Sequence, residues 1–275
     1  MEPINMEYDK SYFCKKTAVV TGAASGIGLA LVEELLQSNA SKVVMADINL
    51  KQLNEHEKRL QGIYGNKVKG IWCDVTLEEN IQHLITESAR YFNGTFDLLF
   101  NNAGAAFMGA FMEQSNDDWK LAFDLNFFSA LYGMRAVLPI MLQQGNGQIV
   151  NIISGIAIIP MAYQTRYAAT KAALNGLSLA LRAEHWDNNI KISSATPGTT
   201  ATAIFGDMKA PDSAQSPQQS ASRILNGVAN NVRIIYGDDG DVSCGIHSFH
   251  PEAQQAYDEY LIGVTRKRKE GLFAF

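Results

Sequence analysis

Thr17-Ala18-Val19-Val20-Thr21-Gly22-Ala23-Ala24-Ser25-Gly26-Ile27-Gly28 reads as a short apolar strand that runs straight into a glycine turn, and Leu29 to Leu36 carries it on as a helix. Strand, glycine turn and helix in that order are the opening of a parallel α/β unit. Glycines let the backbone come close to a pyrophosphate, and the free amides at the helix start, with the positive end of the helix dipole, favour its charge. Gly22, Ser25, Gly26, Ile27 and Gly28 are therefore the expected phosphate-side residues. A glycine turn alone is equally at home in a tight loop, so the strand before it carries the weight.

Outward from that turn, short apolar runs recur at Lys42–Ala46, Val68–Cys73, Phe96–Phe100, Gly147–Ile153 and Lys191–Ala195, separated by longer helical patterns. Such alternation predicts one doubly wound parallel sheet flanked by helices, a Rossmann-like α/β fold, in a single domain over 1–275. Thr76 with Glu79, and Ser115 with Asp118, have the spacing of helix caps. Asp47 closes the second strand, where such a fold offers a carboxylate to the adenosine ribose hydroxyls. It opposes a 2'-phosphate, so NAD is expected over NADP, an exclusion that nearby Lys51 weakens.

A chain of 275 residues, 47% hydrophobic and 19% charged, suffices for one substantial core. Its net charge of −5 argues against sequence-independent nucleic-acid binding. Cys14, Cys73 and Cys244 are scattered, without zinc-ligand spacing, and no metal is expected. The amino terminus lacks the pattern of a signal peptide and no apolar run approaches membrane-spanning length, so a cytoplasmic location is the expectation. The basic end Arg266-Lys267-Arg268-Lys269 of a predicted helix over Gln254–Lys269 is read as a solvated face rather than a membrane anchor.

Tyr167 and Lys171, four residues apart, share one face of a predicted helix. A free phenol titrates at about 10, too high for proton transfer near neutrality, and one cation about 4 Å away is worth up to ~4 kcal/mol, enough to lower it substantially. Ser154, thirteen residues upstream at the end of the Gly147–Ile153 strand, places a hydroxyl where it and Tyr167 bind one substrate oxygen. Alone, the pair is an ordinary helix-surface motif and Ser154 an ordinary turn residue; their combination is what suggests an acid-base site.

Together these residues resemble the short-chain dehydrogenase/reductase family from Thr17 to about Asn230. The motifs are Thr21-Gly22-x-x-x-Gly26-x-Gly28, Asp74 with Val75, Asn101-Asn102-Ala103-Gly104, Asn126, Ser154, Tyr167 with Lys171, and Pro197-Gly198 followed by Thr202. The resemblance implies that Asp74 and Val75 border the adenine, that Asn102, Ala103 and Gly104 line the cofactor cleft, and that Thr202 lies near the nicotinamide carboxamide. It also implies that Asn126 holds a water against Lys171, and that Lys171 both lowers the Tyr167 pKa and binds the nicotinamide ribose. The implied reaction is reversible hydride transfer between a secondary alcohol and its ketone, with NAD as cofactor. A nonenzymatic NAD-binding sensor or scaffold and a Rossmann-like methyltransferase are the alternatives.

The chain departs from the family pattern after Val232-Arg233-Ile234-Ile235-Tyr236, where residues 237–275 form a longer tail. A homodimer through the helices around Asp118–Gln144 and Thr165–Trp186 is expected in preference to a tetramer. Residues 203–222, where Gly206, Pro211, Pro217 and several Ser and Gln interrupt any periodicity, are read as a substrate flap. Phe107, Met108, Ile156, Ile158, Met161, Phe205 and Met208 supply apolar contacts, with Ile156, Phe107 and Phe205 beside Ser154 and Tyr167 as the substrate set. A hydrophobic alcohol or ketone is the expected substrate.

Overall fold

The computed structural model describes residues 9–202 and 210–270. Seven strands, β1 (Thr17–Thr21), β2 (Lys42–Asp47), β3 (Val68–Trp72), β4 (Leu98–Asn101), β5 (Gly147–Ile152), β6 (Ile190–Thr196) and β7 (Ile234–Tyr236), form one sheet. Their order is β3-β2-β1-β4-β5-β6-β7, and every pairing is parallel. The winding direction reverses between β1 and β4, so a crevice opens there at the carboxyl ends of the strands. β1 is buried along its whole length, which explains its unbroken apolar run.

Helices cover both faces. On one side α1 (Gly26–Gln37), α2 (Leu50–Tyr64) and α7 (Pro217–Ala229) pack Leu31, Leu35, Ile224 and Val228 onto Val20, Val43 and Phe100. On the other, α3 (Glu78–Tyr91), α5 (Ser129–Gln144) and α6 (Thr165–Glu184) bring Leu84, Met134, Val137 and Leu174 against Val19, Val44 and Ile149. α4 (Asn116–Phe123) enters α5 through one π-helical turn, Asp124–Phe128. After β7 the tail forms α8 (Asp239–His247) and α9 (Gln254–Lys269), the latter with the predicted bounds.

Three local expectations are corrected. Ser115 and Asp118 do form a reciprocal cap on α4, but Thr76 does not cap α3. Asp74 Oδ1 instead accepts from the Thr76 amide and hydroxyl, closing a turn, and α3 starts at Glu78. Of the segment 203–222 read as a flap, 217–222 belong to α7, because Ser216 and Gln219 cap it reciprocally and Pro217 fits its first turn, where no amide hydrogen is needed, while 203–209 lie outside the described residues. The helical stretch Asn116–Gln144 is long and apolar enough to cross a membrane, contrary to expectation. Its Met134, Val137 and Met141 pack on the sheet, which accounts for the length and apolarity.

Candidate active site

Thr21 ties the first strand end to the fourth. Its hydroxyl accepts from the amides of Asn102 and Ala103 at 3.0 and 3.1 Å, while Asn102 Nδ2 returns a bond to the Thr21 carbonyl at 2.8 Å. Gly22 at φ +63° turns the chain so closely under this loop that a Cβ would lie 2.9 Å from Ala103 Cα. Gly28 is tighter still, since a Cβ would sit 2.1 Å from the Gly22 carbonyl oxygen. The Ser25 side chain makes no capping bond, so the first amides of α1 carry no side-chain cap. Those amides and the dipole end are the donors an anionic pyrophosphate requires.

A cleft of about 750 Å³ opens over this turn. Of the expected cofactor residues, Gly22, Ser25, Gly26, Ile27, Gly28, Asp47, Asp74, Val75, Asn102, Ala103, Gly104, Tyr167, Lys171, Pro197 and Thr202 line it. Gly198 lines the neighbouring cavity instead. Ile48, Thr76, Leu121 and Leu125 also line the cleft and escaped the sequence reading. For Ile48, Thr76 and Leu125 the only sequence signal is adjacency to Asp47, Val75 and Asn126, and Leu121 has none. Asp47 is fixed by two amides, accepting from Ala24 at 2.9 Å and from Asn49 at 2.8 Å. Cys73, also in the cleft wall, is a protonated thiol, pushed by burial to about 12.

α6 delivers Tyr167 and Lys171 to the far end of the cleft, and both are buried. Lys171 Nζ donates to the Ile152 carbonyl at 2.8 Å and lies 5.9 Å from the Tyr167 ring centre. Burial lowers Lys171 to about 8, leaving it largely charged at neutrality. Tyr167 departs from expectation: its pKa is raised, chiefly by burial, with a contribution from the Asp241 carboxylate, while contact with the Ser154 hydroxyl pulls it down. In the protein alone the phenol therefore keeps its proton, because desolvation is the largest influence on it and the Ser154 contact does not offset it.

Asn126 is buried in the π-helical turn, but its amide is spent on the loop after β4. Oδ1 accepts from the Ala105 amide and Nδ2 donates to the Ala105 carbonyl, both at 3.0 Å. The side chain therefore anchors that loop, and Gly104 lets it approach, since a Cβ there would lie 2.7 Å from Asn126 Oδ1 and 3.3 Å from Lys171 Nζ.

A second cavity of about 350 Å³ shares Tyr167, Thr202, Ile27, Ala106 and Pro197 with the cleft. Ser154 and Ile156 line it, as do Met108 and Met161, and Ser154 Oγ accepts from the Ile156 amide at 3.3 Å. Phe107 lines neither space; it packs in the small cluster around Ile156 and Tyr167, with the Arg166 guanidinium 5.2 Å from its ring centre. Ile158 is buried and lines neither cavity. Phe205 and Met208 lie outside the described residues. The tail supplies lining residues that the sequence reading missed, Asp238, Gly240, Asp241, Cys244 and Tyr260. Among the described residues no group of three His, Cys, Asp or Glu is placed to hold a metal.

Comparison with known proteins agrees with this fold. The sequence model of the short chain dehydrogenase family matches residues 16–213. An uncharacterised oxidoreductase of Staphylococcus saprophyticus is 36% identical over 194 residues, which are 70% of this chain and 81% of the relative. A second, from Staphylococcus aureus, is 35% identical over 213 residues, 76% of this chain and 89% of its own. Among solved structures, a Burkholderia phymatum short chain dehydrogenase/reductase in complex with NAD superposes with a TM-score of 0.76 at 25% identity, covering 90% of this chain and 93% of that one. A Sphingobium yanoikuyae short-chain dehydrogenase in complex with NADPH gives 0.74 at 25% identity, covering 91% and 95%.

Proposed function

This chain belongs to the short-chain dehydrogenase family of oxidoreductases, and on that premise we propose that it interconverts a hydrophobic secondary alcohol and its ketone with NAD. The observation that carries the proposal is the position of Tyr167, which lines both the large cleft and the smaller cavity, with Lys171 on the cleft side and Ser154 on the other. A nicotinamide cofactor held in the cleft supplies the hydride acceptor or donor, which the protein's own side chains do not. The α1 amides and the glycine turn fit its pyrophosphate, and Asp47 fits the adenosine ribose.

In the smaller cavity the Ser154 hydroxyl orients and polarises the substrate oxygen. Tyr167 gives that oxygen a proton in reduction and takes one from it in oxidation. Its raised pKa keeps the proton in place for reduction. Lys171, still charged at neutrality, faces the cleft and stabilises the phenolate that forms when the proton leaves. Asn126 holds the loop that brings Gly104 beside Lys171. The apolar side chains of Ile156, Ile159 and Met161 favour a substrate with a hydrophobic body.

NAD is proposed over NADP because Asp47, held by two amides, opposes a 2'-phosphate at the ribose end. A cytoplasmic location and a homodimer complete the proposal. Unpaired thiols at Cys14, Cys73 and Cys244 support the first, and the aromatic run Trp119, Phe123, Phe127, Phe128 and Tyr132 along α4 and α5 supports the second. Titration with NAD and NADP, and turnover of a panel of secondary alcohols, test the reading. We expect tighter NAD binding, weakened roughly tenfold or more in Asp47→Ala, with discrimination against NADP relaxed. A native preference for NADP, or turnover of polyols alone, overturns it.

A further inference from the structure

The wall of the smaller cavity opposite the cleft comes from the tail, and two of its residues, Asp238 and Asp241, are carboxylates. Their situations differ. Asp238 is spent on the backbone: Oδ1 accepts from the Asp241 amide at 2.7 Å, capping α8, and Oδ2 accepts from the Thr199 amide at 2.8 Å. Asp241 stands at the third position of α8, where an acidic side chain ordinarily reaches back to the cap amide, as Asp118 does in α4. It makes no such bond. Its carboxylate instead presses on the residue after Ser154, so closely that a Cβ on Gly155 would lie 2.2 Å from Asp241 Oδ1.

Asp241 Oδ2 is sealed from solvent without a hydrogen-bond partner. The Thr196 hydroxyl and the Gly198 main chain lie close enough to favour the charged form, but the Thr196 hydroxyl donates to the Ile235 carbonyl at 3.4 Å. Burial first, and the charge of Asp238 second, push the carboxyl up to about 6. Among the described residues, no Lys, Arg or His lines the cavity. A buried carboxylate with an oxygen that lacks a partner is costly, and removing that cost takes a donor or a cation. The charge reaches the catalytic group, since it raises the pKa of Tyr167.

We propose that Asp241 is the specificity residue of this site, which reads a hydrogen-bond donor on the substrate some distance from the reacting carbon. The inference rests on the oxidoreductase reading. It names the substrate class as an alcohol or ketone with an apolar body and a second donor group, a hydroxyl or an ammonium. Substrates bearing a carboxylate or phosphate at that end are excluded by like-charge repulsion, with no cation among the described lining residues to offset it. Gly155 belongs to the same device, because only a residue without a side chain leaves room for the carboxylate beside Ser154.

The test uses the full chain with bound cofactor and seven alcohols: 1-phenylethanol and its ring-substituted analogues carrying a hydroxymethyl, aminomethyl or carboxylate group at the meta or the para position. Binding is measured by calorimetry and turnover by cofactor absorbance, for the native protein, Asp241→Asn and Asp241→Leu, with thermal unfolding confirming that each variant is folded. The native protein is expected to prefer the hydroxymethyl and aminomethyl compounds over the parent by roughly tenfold to a hundredfold, the worth of a hydrogen bond to a charged group, and to take the carboxylate least well. Asp241→Asn is expected to lose the ammonium advantage and keep part of the hydroxyl advantage; Asp241→Leu loses both and gains on the parent. The same order of preference in all three proteins, or a carboxylate analogue accepted as well as the parent by the native one, overturns the proposal. Donor preference in binding without turnover upholds Asp241 and sinks the redox reading. Turnover without donor preference does the reverse, and no binding of any compound counts against both.

Discussion

On the cleft side of Tyr167, Thr21, Asn102, Asp47 and Asn126 spend their polar atoms on neighbouring main-chain groups, and the glycines between them leave no room for side chains. On the other side, behind Ser154, Asp241 keeps a buried oxygen without a partner and an elevated pKa, in a wall assembled from a tail far along the chain. In the first region these side chains are satisfied before any ligand arrives, and the uncapped amides of α1 are the donors left for one. The second carries an electrostatic cost that a suitable ligand relieves. Stability given up in this way concentrates where a protein distinguishes one substrate from another.

Tyr167 sits at the seam, so replacing it breaks the comparison most sharply. Tyr167→Phe removes only the hydroxyl, and kcat is expected to fall roughly 10²–10⁴-fold, the usual contribution of a positioned acid-base group, while cofactor affinity changes little. Steady-state kinetics beside a cofactor titration reads both, and near-native turnover refutes the assignment. Gly28→Ala should act on one region alone. Its methyl collides with the Gly22 carbonyl, so about 1–3 kcal/mol of stability and much of the cofactor affinity are expected to go. Unaltered cofactor binding in this variant would show that the turn tolerates what the packing forbids.

Asp241→Asn sharpens the contrast through pH. The native carboxyl titrates near 6 in the folded chain against an ordinary value of 3.8, so the folded state holds the extra proton between them. The stability this contributes is fully present below about 4 and is lost as pH rises through about 6. Asp241→Asn should therefore raise stability at neutral pH, by at most about 3 kcal/mol, and flatten its pH dependence between 4 and 6. Denaturant unfolding at pH 4, 5, 6 and 7 checks this; an unchanged slope would mean that the carboxylate is better solvated than the structure indicates. Because the Asp241 charge raises Tyr167, the pH profile for alcohol oxidation should shift to lower pH in the same variant.

Legibility followed the same division. β1, the glycine turn and the capping pair Ser115 and Asp118 were readable because each is a local pattern, set by strand burial, backbone freedom or first-turn amides. Thr76 misled because Asp74 Oδ1 accepts from both its amide and its hydroxyl, and a three-residue spacing does not show that the hydroxyl is already engaged by a neighbour behind it. Pro217 marked the start of α7, yet the surrounding Gly, Pro and Ser gave it the look of a loop. Phe107 lines neither cavity, and apolarity alone does not distinguish a cavity wall from the packing behind it.

The sequence by itself determined the alternation of strands and helices, the phosphate turn, and the placement of a hydroxyl, a phenol and an ammonium within one short stretch, since periodicity and short-range spacing encode all three. Tertiary structure decided the rest: that burial raises the Tyr167 pKa, that Asn126 spends its amide on Ala105, and that Asp241 stands beside Gly155. These depend on desolvation and on contacts between residues distant in the chain, quantities that arise only once water has been excluded from a particular space.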